Sequence, residues 1–436
     1  MRTAGEEIVA SCPQCGVEIR TDRRFTTWCA ACEWNVDPQG PGKEKRGLDR
    51  VRRGLAQRYG ARLFDELRGE GGKGGGSGKG GGSGSGRTWS GPLAYALALA
   101  VHGLTVVLAA VGLWGLVRGW GGLGMAFGLF LLALAWSLRP RLNRLSDDDR
   151  VLLRGDAPEL FALVDEVAAA QGARGVDVVV VDVEANASVT QLGLRRRRLT
   201  LGLPLWEVLS PQERIALLGH ELGHFTHGDT RHGMVVGTAF RSLSTWLYYV
   251  RPMPNPNVVQ AVTNLACVPL RLLISAVMTL LDLLTARTSQ RGEYLADGAA
   301  ARTGSTEGAV GLMDRLMVTD SIVTTLQRET NSRRLRRTGG GGEQNADGLW
   351  EALVAHLDSV PESEFERRRR VGALRGHSVD ASHPPTHLRR RLLLDGTPVP
   401  AAVTADAART ERIAGELAGV RATLAREVVR DGYGDQ

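Results

Sequence analysis

His220-Glu221-Leu222-Gly223-His224 sets two imidazoles four residues apart, with a carboxylate beside the first. On a helix this spacing puts both rings on one face, where they reach a single metal ion. Glu221 then faces a metal-bound water, which zinc acidifies enough for a carboxylate to take its proton during attack on a carbonyl. Ser210-Pro211-Gln212-Glu213 supplies the start of that helix, with Ser210 as N-cap, proline in the first turn and Glu213 closing a capping box. His227 and His232 follow closely and are read as surface histidines or as supports of a ligand, not as ligands.

A catalytic zinc needs a third protein ligand and an open fourth position. The His-x-x-Gly-x-x-His continuation of the motif is absent, so the third ligand comes from elsewhere. The best candidate is Glu293, in Arg291-Gly292-Glu293-Tyr294-Leu295-Ala296-Asp297. Asp297 lies four residues on, along the same helical face, and is read as orienting a ligand histidine from behind. Tyr294, Leu295, Ala296 and Ala299 argue that this helix is buried.

A second donor set is made of sulfur. Cys12-Pro13-Gln14-Cys15 is followed, after thirteen residues, by Cys29-Ala30-Ala31-Cys32. Two such knuckles offer four thiolates, the tetrahedral set of a structural zinc ribbon. A redox dithiol is the alternative, but one pair would suffice for it. A closed four-cysteine site leaves no position for a substrate.

These sites need elements to hold them. The chain has 436 residues, 43% hydrophobic and 23% charged, with only five cysteines. That composition excludes wholesale disorder and a small disulfide scaffold. The net charge is +7, but 50 of the 54 basic residues are arginine. So uniform a bias reflects genome composition, the basic charge is no evidence for nucleic acid, and no nucleic-acid partner is expected. Residues 1–11 lack the apolar run of a secretory signal. The expected organisation is a zinc ribbon at 1–38, an amphipathic basic helix at 39–70 and a Gly/Ser tether at 71–90. That helix is read either as lying on an anionic membrane surface or as packing on the ribbon. A transmembrane hairpin is expected at 91–138, from two charge-free runs joined around Arg118. Residues 139–395 are expected to form the domain that carries the histidine motif, a metallopeptidase domain if the motif is catalytic, with further spans expected near 233–250 and 258–284 despite Arg241, Arg271 and Asp282. Within it, 159–171 reads as a helix, 176–183 and 199–203 as strands, 195–198 as a turn, and 339–342 as a loop. A largely solvated helical tail closes the chain at 396–436. The fold class is mainly α with a small β-sheet. Basic residues at Lys73, Lys79 and Arg87, and again at Arg139, Arg141 and Arg144, put both outer ends of the hairpin in the cytoplasm.

His220–His224, then Glu293-Tyr294-x-Ala296-Asp297, then Ser382-His383-Pro384-Pro385 with Arg389, occur in an order that resembles the HtpX-like membrane zinc metallopeptidases. That family also includes the CaaX prenyl proteases. The resemblance covers about residues 90–395 and implies a multispanning gluzincin domain facing the cytosol. It also implies that Asn186-Ala187 lie on a strand edging the substrate cleft, where extended substrate would add as a further strand. His383, made rigid by two prolines, is then expected to donate to the oxyanion. Arg389 is expected to anchor that loop or to contact substrate. The expected function is a membrane-bound zinc endopeptidase acting on membrane or cytosolic polypeptides. It carries one catalytic and one structural zinc, contacts lipid, and has a protein partner at the ribbon. The rival is a non-catalytic membrane adaptor, which would be expected to have lost at least one of His220, Glu221, His224 and Glu293. The N-terminal ribbon with its tether, and a Gly-rich insertion near 339, depart from the family pattern.

Overall fold

The computed structural model describes residues 7–38, 40, 48–71, 90–119, 122–193, 195–226, 230–337, 346–375 and 383–434. The Gly/Ser tether, the Gly339–Gly342 loop, Ser382 and His227 lie outside the described residues, as does the side chain of His232. The chain is mostly helical, with two small sheets.

At the N-terminus, β1 (Glu7–Ser11) and β2 (Glu18–Asp22) form an antiparallel hairpin that carries the cysteine knuckles. Helix α1 (Leu48–Gly71) follows. Leu63 and Phe64 are buried against Tyr294, with Leu388 and Leu392 beside them. The C-terminal half of the stripe thus finds partners in helices that carry the histidine motif's neighbours, a contact that neither reading included.

Helices α2 (Ser90–Arg118) and α3 (Leu123–Leu138) form the expected hairpin. Glycines let the two backbones approach: a Cβ on Gly128 would lie 2.6 Å from the Leu116 nitrogen. Small residues at such a contact are what apolar helices use to pack in lipid. Outward-facing Trp114, Phe130 and Trp136 are 66%, 60% and 68% exposed, a surface that a soluble core helix would bury.

Four strands make the second sheet, in the order β3 (Arg150–Leu152), β4 (Val178–Asp182), β6 (Arg196–Gly202), β5 (Ala187–Leu192). Only the β4–β6 pair is parallel. Arg196–Arg198 are strand and not turn, because they pair with Leu192–Thr190 across a hairpin at Gly193. Helix α4 (Pro158–Ala170) packs beside α6 (Pro211–Gly223), which follows the short α5 (Leu203–Val208).

Helix α7 (Thr230–Tyr249) buries Ala239, Leu243 and Trp246 against Ala94, Ala98 and Val101 of α2. His102 of α2 reaches the same helix, its Nε2 lying 3.2 Å from the Thr238 hydroxyl. The segment 258–284 is not one span. Helix α8 (Val258–Ala266) ends at Cys267, and α9 (Val268–Met317) begins there with Pro269 in its first turn. Arg271 folds back onto this break and donates to the carbonyls of Val250 (3.1 Å) and Asn264 (2.8 Å), which the helix ends leave unpaired. Among the described residues two helices are long and apolar enough to cross a membrane, Gly91–Arg118 and Val268–Met317. Leu123–Leu138 is apolar but shorter.

The remaining helices are α10 (Thr319–Arg337), α11 (Leu349–Asp358), α12 (Glu362–Arg375), α13 (Thr386–Asp395) and α14 (Ala407–Asp431). The tail is helical and largely solvated, as expected, but one face is not. Ile413, Leu417, Leu424 and Val428 of α14 are buried in the main core with α4 and the sheet. Spacings of four, seven and four give α14 one apolar stripe, and α4 supplies its partner face.

Candidate active site and metal centres

The capping box at the start of α6 is formed: Glu213 N–H donates to Ser210 Oγ at 3.3 Å, and Ser210 N–H donates to Glu213 Oε2 at 2.7 Å. His220 and Glu221 lie in its last turn, and His224 is the residue that ends it. α9 crosses α6 at very close range. A Cβ on Gly219 would lie 1.9 Å from Thr303 Oγ1, and one on Gly304 would lie 2.6 Å from the Ala216 nitrogen. Small residues at the crossing let Glu293 reach the histidines. Immediately beyond Gly304, Ser305 takes a left-handed backbone (φ 75°) and kinks α9.

Glu293 Oε2 lies 3.5 Å from His220 Nε2, and Oε1 lies 3.5 Å from His224 Nε2. Ligands about 2.0–2.2 Å from a tetrahedral zinc are roughly 3.3–3.6 Å apart, so this donor set has the size of a zinc site. Glu293 Oε2 is buried, with nitrogen donors of His220, His383 and Arg389 lying 3.2–3.6 Å from it. The electrostatics agree. Burial opposes charge on His220, yet hydrogen bonds to Asp297 and Glu293 outweigh it and raise its pKa to about 10, so the pocket favours a positive charge there. Burial, reinforced by His220, lowers His224 to about 4 and keeps it a neutral donor. Burial also pushes Glu221 up to about 7, in the range of a group that exchanges protons near neutrality.

Behind the ligands lies a fully buried ion pair. Arg389 forks onto Asp297, with Nη2 to Oδ1 at 2.6 Å and Nε to Oδ2 at 2.8 Å. Asp297 Oδ1 is 3.1 Å from His220 Nδ1, so it can hold the N–H of that ring and aim Nε2 forward. Arg389 is 1% exposed. The expectation that it contacts substrate is therefore corrected, because its guanidinium sits beneath His220. His383 Nε2 lies 3.2 Å from Glu293 Oε2 on the open side, although 90 residues separate them in sequence.

A cavity of about 1010 Å³ opens on His224 and Glu293 and runs between α2, α7 and α9. Strand β5 borders it, but through Val189, Thr190 and Gln191. Asn186 and Ala187 do not line it: Asn186 is exposed, and its carbonyl accepts from Gly202 N–H. Asn143, Arg241 and Asp282 also line the cavity and were not singled out as a group by the sequence. Asn143 donates to the Gln191 carbonyl at 3.2 Å and accepts from Arg241 at 2.9 Å. No spacing signals such a group, because each residue comes from a different element.

In the ribbon, Cys12 Sγ lies 3.6 Å from Cys32 Sγ, and Cys15 Sγ lies 3.6 Å from Cys29 Sγ. That is far beyond a disulfide and close to the roughly 3.8 Å edge of a zinc–sulfur tetrahedron. These two groups are the metal-ligating clusters found among the described residues.

An H-E-x-x-H helix completed by a glutamate from a crossing helix defines the zinc metallopeptidase class. The sequence model of peptidase family M48 matches residues 155–395, more than half of the chain, and the chain belongs to that family. It is similar to the protease HtpX homolog of Pyrobaculum aerophilum, 26% identical over 308 residues, which are 66% of this chain and 80% of the relative. It is also similar to the protease HtpX homolog of Thermoplasma volcanium, 28% identical over 121 residues. That stretch is 26% of this chain and 39% of the relative, so well under two thirds of the Thermoplasma protein is matched. Protease HtpX homolog 2 of Saccharolobus solfataricus is 35% identical over 95 residues, 21% of this chain and 29% of the relative. No solved structure matches the chain.

Proposed function

We propose that this chain is a membrane-bound zinc endopeptidase that hydrolyses peptide bonds of membrane or cytosolic polypeptides. The observation that carries the reading is the meeting of His220, His224 and Glu293 at zinc-ligand spacing, with a buried carboxylate, Glu221, beside them. Zinc bound there supplies Lewis-acid polarisation of the scissile carbonyl and acidifies water. Glu221 takes the proton of the attacking water and returns it to the leaving amine. His383 donates to the developing oxyanion from the open side. Asp297, held by Arg389, keeps His220 in its ligating orientation. β5 offers an edge along the cleft against which extended substrate can lie.

The proposed setting is a multi-pass protein of the cell membrane, with the N-terminus and active site in the cytoplasm. Two long apolar helices, the exposed apolar faces of the α2–α3 hairpin and the arginines at its outer ends support this reading. In this reading residues 1–38 form a structural-zinc ribbon, the second metal site of the chain. The test is hydrolysis of labelled casein by detergent-purified protein and by Glu221→Gln. The variant should keep its zinc and lose about 10²–10⁴-fold in kcat. Equal activity in both would refute the reading.

A further inference from the structure

The cysteine ribbon is not held by a tether alone. Its second knuckle is docked on α12. Trp28 Nε1 donates to the Ser363 carbonyl at 3.1 Å. Arg367 Nη1 donates to the Val36 carbonyl at 2.9 Å, and Arg370 Nη1 to the Ala30 carbonyl at 2.7 Å. The Arg370 guanidinium also lies over the Trp28 ring, 5.1 Å from its centroid. Two of the three receiving carbonyls, Ala30 and Val36, belong to the loop around Cys29 and Cys32, so the arginines of α12 need that knuckle folded to find their acceptors.

From α12 the contacts continue inward. Arg369 forks onto Asp314 of α9 at 2.8 and 2.9 Å. The same Asp314 Oδ1 accepts from Arg390 of α13 at 2.8 Å. The residue before Arg390 is Arg389, which grips Asp297 under His220. α13 begins at Thr386, three residues after His383. α1 closes the other side: the Cβ direction of Gly60 points at Pro385 Cδ, 3.2 Å away, and Phe64 covers Tyr294, the neighbour of Glu293. Arg68 of α1 pairs with Asp395 at the end of α13 (3.1 Å).

We propose that the N-terminal unit, ribbon plus α1, is a brace that positions α13, and through it His383 and Arg389, against the metal site. It acts through other residues and touches no substrate. A helix clamped at both faces has less freedom to tilt, and a catalytic donor misplaced by about 1 Å can cost 10²-fold in rate. The inference rests on the roles given above to His383 and Arg389. It turns the ribbon from a recruiting module into a part of the catalytic frame.

The test compares wild type with Arg370→Ala, which loosens the ribbon contact, and Asp314→Ala, which removes the joint between α12 and α13. Full-length protein is used in detergent, with hydrogen exchange, zinc content and casein kinetics as readouts. Exchange should rise in the ribbon and in 386–395 of Arg370→Ala, while 211–223 stays protected. Zinc at the histidine site should be retained, and kcat should fall about 10- to 100-fold with KM little changed. If ribbon exchange rises but 386–395 and kcat stay at wild-type values, the brace is refuted. Should one variant not fold, the same comparison is read from the other. If wild type hydrolyses no casein, the proposed activity fails, whereas exchange at 386–395 still decides the brace.

Discussion

The two candidate metal sites are built in opposite ways. The cysteine site draws four identical ligands from 21 consecutive positions, and one hairpin with two knuckles brings them together. The histidine site draws two imidazoles from α6 and one carboxylate from α9, spread from 220 to 293, and His383 from the segment before α13 reaches the same carboxylate. Four thiolates close a tetrahedron and leave metal chemistry no room. Two histidines and a glutamate supply three donors and leave a fourth position free. A short-range site is complete once its own loop folds. A long-range site is only as accurate as the packing of the helices that carry it, which is why the α6–α9 crossing is lined with glycine and alanine.

The largest expected effect comes from breaking the open site at its remote ligand. Glu293→Ala should abolish zinc binding there and leave the cysteine site loaded. Losing several kcal/mol of metal stabilisation of the transition state lowers kcat/KM by about 10³-fold or more. Elemental analysis with a thiol-competing chelator distinguishes the two sites. Loss of both metals would mean that the sites are not independent.

His383→Ala comes next. It should lower kcat by about 10²–10³, the usual cost of one oxyanion donor, with zinc content and KM nearly unchanged. Loss of the histidine-site zinc would instead make His383 a ligand.

Asp297→Asn sharpens the contrast from behind. The amide keeps the shape but not the charge, so zinc affinity should fall about 10- to 100-fold, as when a group that orients a ligand is altered. Breaking the buried pair also strands Arg389, which costs about 3–5 kcal/mol of folding stability. Metal titration and urea unfolding measure the two effects separately. Cysteine-site affinity should stay as it is.

The smallest effect is on pH dependence and is seen in EDTA. Burial raises Glu221 to about 7 in the fold. A carboxyl raised in the fold contributes stability that is fully present below its unfolded pKa and is lost as pH rises through the folded value. Metal-free wild type should therefore lose unfolding midpoint relative to Glu221→Gln between about pH 5 and 8. Parallel curves would mean that Glu221 ionises freely.

What the sequence by itself determined is local. A four-residue spacing places His220 and His224 on one helical face, Ser210 and Glu213 cap that helix, and paired C-x-x-C knuckles define the ribbon. Charge-free runs likewise mark the α2–α3 hairpin, because crossing length is a property of a single segment. Glu293, Asp297, His383 and Arg389 were legible as motifs, but their relative places were not. Only the close packing of α6, α9 and α13 puts Arg389 beneath His220 and not in the cleft. Tertiary structure also decided that Val189–Gln191 border the cavity beside Glu293, that one face of α14 belongs to the core, and that 258–284 breaks at Cys267. The ribbon's docking on α12 and the burial of α1 against Tyr294 belong to the same group. Each depends on a partner surface distant in sequence. An apolar stripe or an arginine run states that a partner is needed, but the partner is chosen by which faces meet once the whole chain has packed.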